Sequence, residues 1–158
     1  GSTFECRVDG GTFTTCTATF STAALADGTH VVEARATDPA GNVDLTPASY
    51  TWIVDTTTPD TSFVATEPSP TNDPSADFVF ASNESGATFQ CRLDSGTFNA
   101  CAATFATADL AEGSHTLQVR AVDAAGNTDP TPASYAWTLD LTPPDTSSSA
   151  TASTSTRG

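Results

Sequence analysis

The chain has 158 residues, with 19 acidic side chains against five arginines and no lysine, for a net charge of −14 at pH 7. A surface this acidic repels nucleic acid and anionic lipid headgroups and leaves cations as the natural small partners. No run approaches the roughly 20 apolar residues of a membrane-spanning helix, and no basic-then-apolar leader opens the chain, so this segment is expected to have no membrane span.

Residues 1–60 return in register, without insertion, as residues 86–145, a period of about 85 residues with about 36 identical positions. GSTFECRVDGGTFTTC comes back as GATFQCRLDSGTFNAC, and DPAGNVDLTPASYTW as DAAGNTDPTPASYAW. A folding unit duplicates in this way, whereas an active site rarely does. The divisions that follow are 1–60, a repeat lacking its N-terminal strands; 61–145, a complete repeat; and 146–158, the Ser/Thr-rich start of a next repeat or a linker. The expectation is a window onto a longer array, with a subunit completed by its neighbour as the less favoured arrangement.

In chain order, Phe4, Cys6 and Val8 alternate with Thr3, Glu5 and Arg7, which puts the apolar set on one face of a strand. The chain reverses at Asp9-Gly10-Gly11 and returns to Cys16, a hairpin that brings Cys6 beside Cys16. The second repeat does the same around Asp94-Ser95-Gly96, with Cys91 and Cys101. A zinc site asks for Cys-x-x-Cys spacing or nearby histidines, and neither is present. Disulfides Cys6–Cys16 and Cys91–Cys101 are therefore expected rather than free thiols. Each closes a short loop for about 3 kcal/mol and implies an oxidising compartment.

The longest strands follow Asp27-Gly-Thr-His30 and Glu112-Gly-Ser-His115, with Val32, Ala34 and Ala36, or Leu117, Val119 and Ala121, facing inward. The last strands put Tyr50, Trp52 and Val54, or Tyr135, Trp137 and Leu139, on one face, where burial is expected. Residues 61–85 occur once. They carry the turn-rich Glu67–Pro74 and then Ala76-Asp-Phe78-Val-Phe80, followed by Phe89 in the next strand. The expected core is Trp52, Trp137, Phe78, Phe80 and Phe89. Ala106–Ala111 makes one helical turn at most, and no segment sustains a 3.6-residue apolar period. The pattern predicts an all-β fold: tandem Ig-like antiparallel β-sandwich modules of about seven short strands, with one disulfide-closed hairpin per module.

The string F-x-C-x-[LV]-D-x-G-x-F-x-x-C, then G-x-H, R-A-x-D-x-A-G-N-x-D, T-P-A-S-Y-x-W and a closing P-D-T resembles the tandem Ig-like repeats of large bacterial secreted and cell-surface proteins, many of them adhesins. The resemblance covers essentially the whole chain. It implies a non-catalytic structural repeat of an extracellular stalk or filament supporting adhesion. Its partners would be neighbouring repeats of the same chain or identical subunits in a filament, with any host or glycan ligand elsewhere on the parent protein. The alternatives are a glycan- or protein-binding module, a filament subunit assembled by strand complementation and, more distantly, an accessory domain of a secreted enzyme. A sandwich of this kind hosts many functions.

Two acidic groups per repeat are candidate calcium ligands. One is the loop Asp38, Asn42 and Asp44, with Asp123, Asn127 and Asp129 in the second copy. The other is the junction pair Asp55 and Asp60, with Asp140 and Asp145. Closely spaced oxygen donors suit a hard cation, and a stalk would gain rigidity from a clamped junction. The loop spacing matches no EF-hand, and a turn closed by Asp, with Gly41 or Gly126 supplying the unusual backbone angle, accounts for it better. No cofactor is required by the sequence, with calcium the one suggested. The junction prolines predict a short, semi-rigid linker. His30 and His115 read as turn-and-strand residues, since no serine stands in a nucleophile elbow. Arg7, Arg35, Arg92 and Arg120 fall on outward positions, where pairing with carboxylates is expected.

Overall fold

The computed structural model describes residues 1–147, so most of the predicted next-repeat segment, from 148 onward, lies outside the described residues. The fold is all-β, with no helix among these residues, and every strand ladder is antiparallel.

The first repeat supplies β1 (Thr3–Val8), β2 (Thr14–Cys16), β3 (Gly28–Thr37) and β4 (Ala48–Val54), in one sheet of order β2-β1-β3-β4. The second begins with β5 (Thr61–Ala65) and β6 (Asp77–Ser82). It then repeats the pattern with β7 (Thr88–Leu93), β8 (Asn99–Cys101), β10 (Gly113–Val122) and β11 (Ala133–Leu139), in the order β11-β10-β7-β8. β9 (Thr104–Ala106) leaves that sheet and joins β5 and β6 in a second one of order β5-β6-β9. The result is the expected seven-stranded sandwich, β5 to β11.

Alternation decides what lies between the two sheets. Leu117, Val119 and Ala121 are fully buried along β10, while Gln118 and Arg120 between them reach the outer face. Phe78 and Phe80 of β6 pack against Trp137, Leu117, Val119 and Cys91, with Phe63, Phe89, Phe105 and Tyr135 at the margin. The Phe78 ring centroid is 4.9 Å from that of Trp137, and Phe80 meets Phe89 edge-on at 5.1 Å. Beyond the ladders, Thr71 forms a parallel bridge to Leu139 and covers the outer edge of β11.

Both disulfides form, Cys6–Cys16 and Cys91–Cys101, across β1–β2 and β7–β8. The hairpins turn through Asp9 (φ +53°) and Asp94 (φ +51°), left-handed positions that Asp tolerates better than most side chains. Gly41 (φ +90°) and Gly126 (φ +96°) carry the unusual backbone angle predicted for the acidic loops.

The first repeat departs from the expected core. Trp52 is only half-buried and Tyr50 is 68% exposed, whereas their counterparts Tyr135 and Trp137 are half-buried and 2% exposed. Their strand alternates as predicted, but no described strand stands where β5 and β6 stand in the second repeat. Periodicity assigns a residue to a face, and the covering layer decides whether that face is dry.

Candidate functional site

Four kinds of place gather functional groups: the junction between repeats, the histidine at each hairpin, the arginine pair on each outer face, and the apolar face of the first repeat.

The linker after β4 is fastened at both ends. On the first-repeat side, Asp27 accepts from Thr56 N–H (3.0 Å), Thr56 Oγ1 (2.7 Å) and Thr57 Oγ1 (3.0 Å). On the second-repeat side, Asp60 N–H donates to Asn83 Oδ1 (2.8 Å), and Asn83 N–H returns to the Asp60 carbonyl (3.1 Å). Asn127 Nδ2 donates to the Asp55 carbonyl at 2.9 Å, and Pro59 is fully buried. Thr61, also buried, accepts from Ala121 N–H at 2.8 Å.

The junction also collects carboxylates. Asp55, Glu84 and Asp123 place oxygens within 4.8 Å of one another. Burial raises the Glu84 pKa, and the charges of Asp123 and then Asp55 raise it further. Of the predicted ligands, Asp55, Asp123 and Asn127 meet here, with Asn127 engaged as a donor to the other two. Glu84 was not foreseen, because residues 61–85 have no second copy to compare. The three carboxylates are the ones that could attract a hard cation, but they fall short of a calcium shell of six to eight oxygens. Both Asp123 oxygens are already engaged: Oδ1 accepts from Gly126 and Asn127 N–H, and Oδ2 from Asn127 Nδ2. Burial acts to raise the Asp123 pKa, yet those bonds leave it lowered.

The remaining predicted ligands serve their own loops. Asp38 accepts from Ala40 N–H, Asn42 N–H and Asn42 Nδ2, and Asp44 caps Thr46. Asp129, almost fully buried, caps Thr131, and exposed Asp140 caps Thr142. Asp145 is exposed, Asp60 meets Asn83 through its backbone, and neither carboxylate is among the three that gather at the junction.

Each histidine ties its hairpin turn to the base of the long strand. His30 Nδ1 lies 2.7 Å from Asp9 Oδ2, and its Nε2 lies 2.8 Å from the Ala26 carbonyl. His115 does the same with Asp94 and Ala111. Asp9 and Asp94 also accept from the strand backbone, at Val31 and Thr116 N–H. The rings lean on Trp52 and Trp137.

On the outer face of the first repeat, Arg7 and Arg35 stack on the Phe13 ring at 4.4 and 4.0 Å and pair with Glu33 and Glu5. In the second repeat Arg92 and Arg120 flank Phe98, but their side-chain partners are Gln118 and Gln90. The expectation that all four arginines pair with carboxylates therefore holds for the first repeat alone, because both glutamates become glutamines in the second. The aromatic between the guanidiniums was missed; its visible signal was the phenylalanine kept at aligned hairpin positions, Phe13 and Phe98, while the glutamates around it changed.

On the inner face of the first repeat, Phe4, Cys6, Cys16, Phe20, Val32 and Ala34 line an open groove of about 440 Å³. The groove runs on past Tyr50 and Trp52.

No protein-family model matches the chain, and no curated protein matches it.

Proposed function

We propose that the chain is a non-catalytic structural repeat of an extracellular surface protein, a stalk or filament element that supports adhesion by holding a distal part away from the cell. The observation that carries this reading is the doubly fastened linker. Residues 55–60 bond back to Asp27 and forward to Asn83 and Asn127, so force or orientation passes from one repeat to the next.

Three further features support it. The same disulfide-closed sheet is built twice in series, and its histidines and acidic loops are spent on turns in both copies. Two disulfides are compatible with an oxidising environment. No helix among the described residues is long and apolar enough to cross a membrane. The resemblance to bacterial Ig-like repeats supplies the surface context.

The test is whether the two repeats tumble together. Backbone ¹⁵N relaxation and residual dipolar couplings on the whole chain should give one common alignment tensor. Independent tensors would defeat the rod reading. A glycan array probed with the same chain separates the binding-module alternative, since a spacer element leaves every spot blank.

A further inference from the structure

We propose that the inner face of the first repeat is a docking surface for a phenylalanine-bearing β-hairpin of the 61–82 type, carried by the adjoining repeat of the same polypeptide. The proposal deepens the array reading and rests on it for the source of the hairpin.

The second repeat shows what such a face holds. There, Phe63, Phe78 and Phe80 of β5 and β6 cover the sheet β11-β10-β7-β8. The first repeat keeps the same chemistry beneath nothing described. Phe4, Cys6, Phe20, Tyr50 and Trp52 are identical to Phe89, Cys91, Phe105, Tyr135 and Trp137, and Val32 and Ala34 stand for Leu117 and Val119. A sheet face meant for water alternates to polar side chains, whereas this one stays apolar while Phe4 and Phe20 are each 41% exposed.

Backbone and hydroxyl groups point to the same occupant. Thr104–Ala106 is a strand only because it pairs with β6, with Phe78 opposite Phe105. The matching Thr19-Phe20-Ser21 forms no strand. The Tyr135 hydroxyl donates to the Glu67 carbonyl, and Thr71 covers the edge of β11 by bonding to Thr138 and Asp140. Tyr50 has no such acceptor among the described residues, and β4 is left as an uncovered edge. An open face, an unpaired strand segment and a free edge are the three places where a β5–β6 hairpin engages its sheet.

The attachment geometry favours delivery from the same chain. In the second repeat the hairpin reaches β7 through the short connection Asn83–Ala87, and Gly86-Ala87 aligns with Gly1-Ser2 at the start of β1. A hairpin placed there needs no long tether, so its effective concentration is high. The tail after Asp145 is a poorer donor, since Ser148 stands where the hairpin has Phe63.

The experiment grafts a second copy of residues 61–85 ahead of Gly1 in the full chain. Trp52 is followed by acrylamide quenching in a W137F background, and residues 19–21 by amide hydrogen exchange. The graft should cut Trp52 quenching several-fold and give the 19–21 amides at least tenfold more protection, with the chain monomeric. A control graft carrying F63S, F78S and F80S should do neither. Unchanged Trp52 and unchanged amides, with the second repeat still native, would overturn the proposal. Concentration-dependent shielding of Trp52 in the ungrafted chain, with dimers or polymers forming, would overturn the same-chain source and make a second copy the occupant. A graft that docks while the two repeats still reorient independently would defeat the rod reading and leave the docking surface standing.

Discussion

His115 Nδ1 sits 3.0 Å from Asp94 Oδ2 while its Nε2 faces the Ala111 carbonyl at 2.8 Å, so both ring nitrogens meet oxygens that can only accept. The ring satisfies both by carrying two protons, as an imidazolium, and His30 is placed identically between Asp9 and Ala26. The His115 pKa is raised by the Ala111 bond and then by Asp94, and that of His30 by Asp9 and then Ala26. The partners move the other way. Burial acts to raise Asp94, but the bonds from His115 and Thr116 hold it lowered, and Asp9 is lowered chiefly by His30.

The sign of the pH effect follows. A raised histidine stabilises the fold fully below its ordinary pKa of about 6.5, and that contribution is lost as pH rises through the folded value. A lowered aspartate stabilises above about pH 3.9, and its contribution is lost as pH falls through the folded value. Stability should therefore crest between these limits and decline above them. Urea melts across pH should show that alkaline decline flattened in the H30Q/H115Q variant. Parallel profiles for the two proteins would contradict the imidazolium assignment.

Trp52 and Trp137 are the same residue at the same aligned position, and they differ only in what covers them. Trp137→Ala removes a side chain that is 2% exposed and should cost about 3–5 kcal/mol. Trp52→Ala removes one already half in water and should cost less than half as much. Hydrogen exchange in β10 and in β3 reports each repeat separately. Equal losses would mean that the first repeat is as closed as the second.

Much of this architecture was legible because the chain states it twice. Substitutions such as Val32 to Leu117 stay apolar while Glu33 becomes Gln118, which sorts faces before any coordinate is known. The disulfides followed from hairpin spacing alone. What stayed hidden depends on contacts distant in sequence or on segments present once. Asp94 and His115 are 21 residues apart, with all of β8 and β9 between them, and their meeting is set by the β7–β10 register of Leu117 opposite Leu93. Glu84 lies in the unduplicated stretch, and nothing local marks it as the third carboxylate beside Asp55 and Asp123. Exposure of Tyr50 is invisible to periodicity, since alternation records a face and not what lies above it, but the missing counterpart to Phe78 and Phe80 already predicts one uncovered flank for residues 1–60.

The hairpin disulfides should matter measurably in so small a module. Removing Cys91–Cys101 as C91A/C101A releases a closed loop of sequence separation 10 and should lower stability by about 3 kcal/mol. Reductant applied to the wild-type chain should bring a comparable loss. An unchanged denaturation midpoint with thiols confirmed free would show that β7 and β8 hold without the bond.

Glu84 should be a destabilising residue at neutral pH. Burial raises its pKa first, and the neighbouring charges of Asp123 and Asp55 raise it further. A raised carboxyl favours the fold in its protonated form, so its penalty is absent below the ordinary glutamate range near about pH 4.3 and develops as pH rises through the folded value. Glu84→Gln keeps the shape and removes the charge. The variant should melt higher than wild type at pH 7, and the difference should shrink as acid protonates the wild-type carboxyl. Added monovalent salt should narrow the gap as well, since partly exposed like charges are screened. A variant that melts lower than wild type at neutral pH would mean that Glu84 supports the junction through its charge instead of straining it.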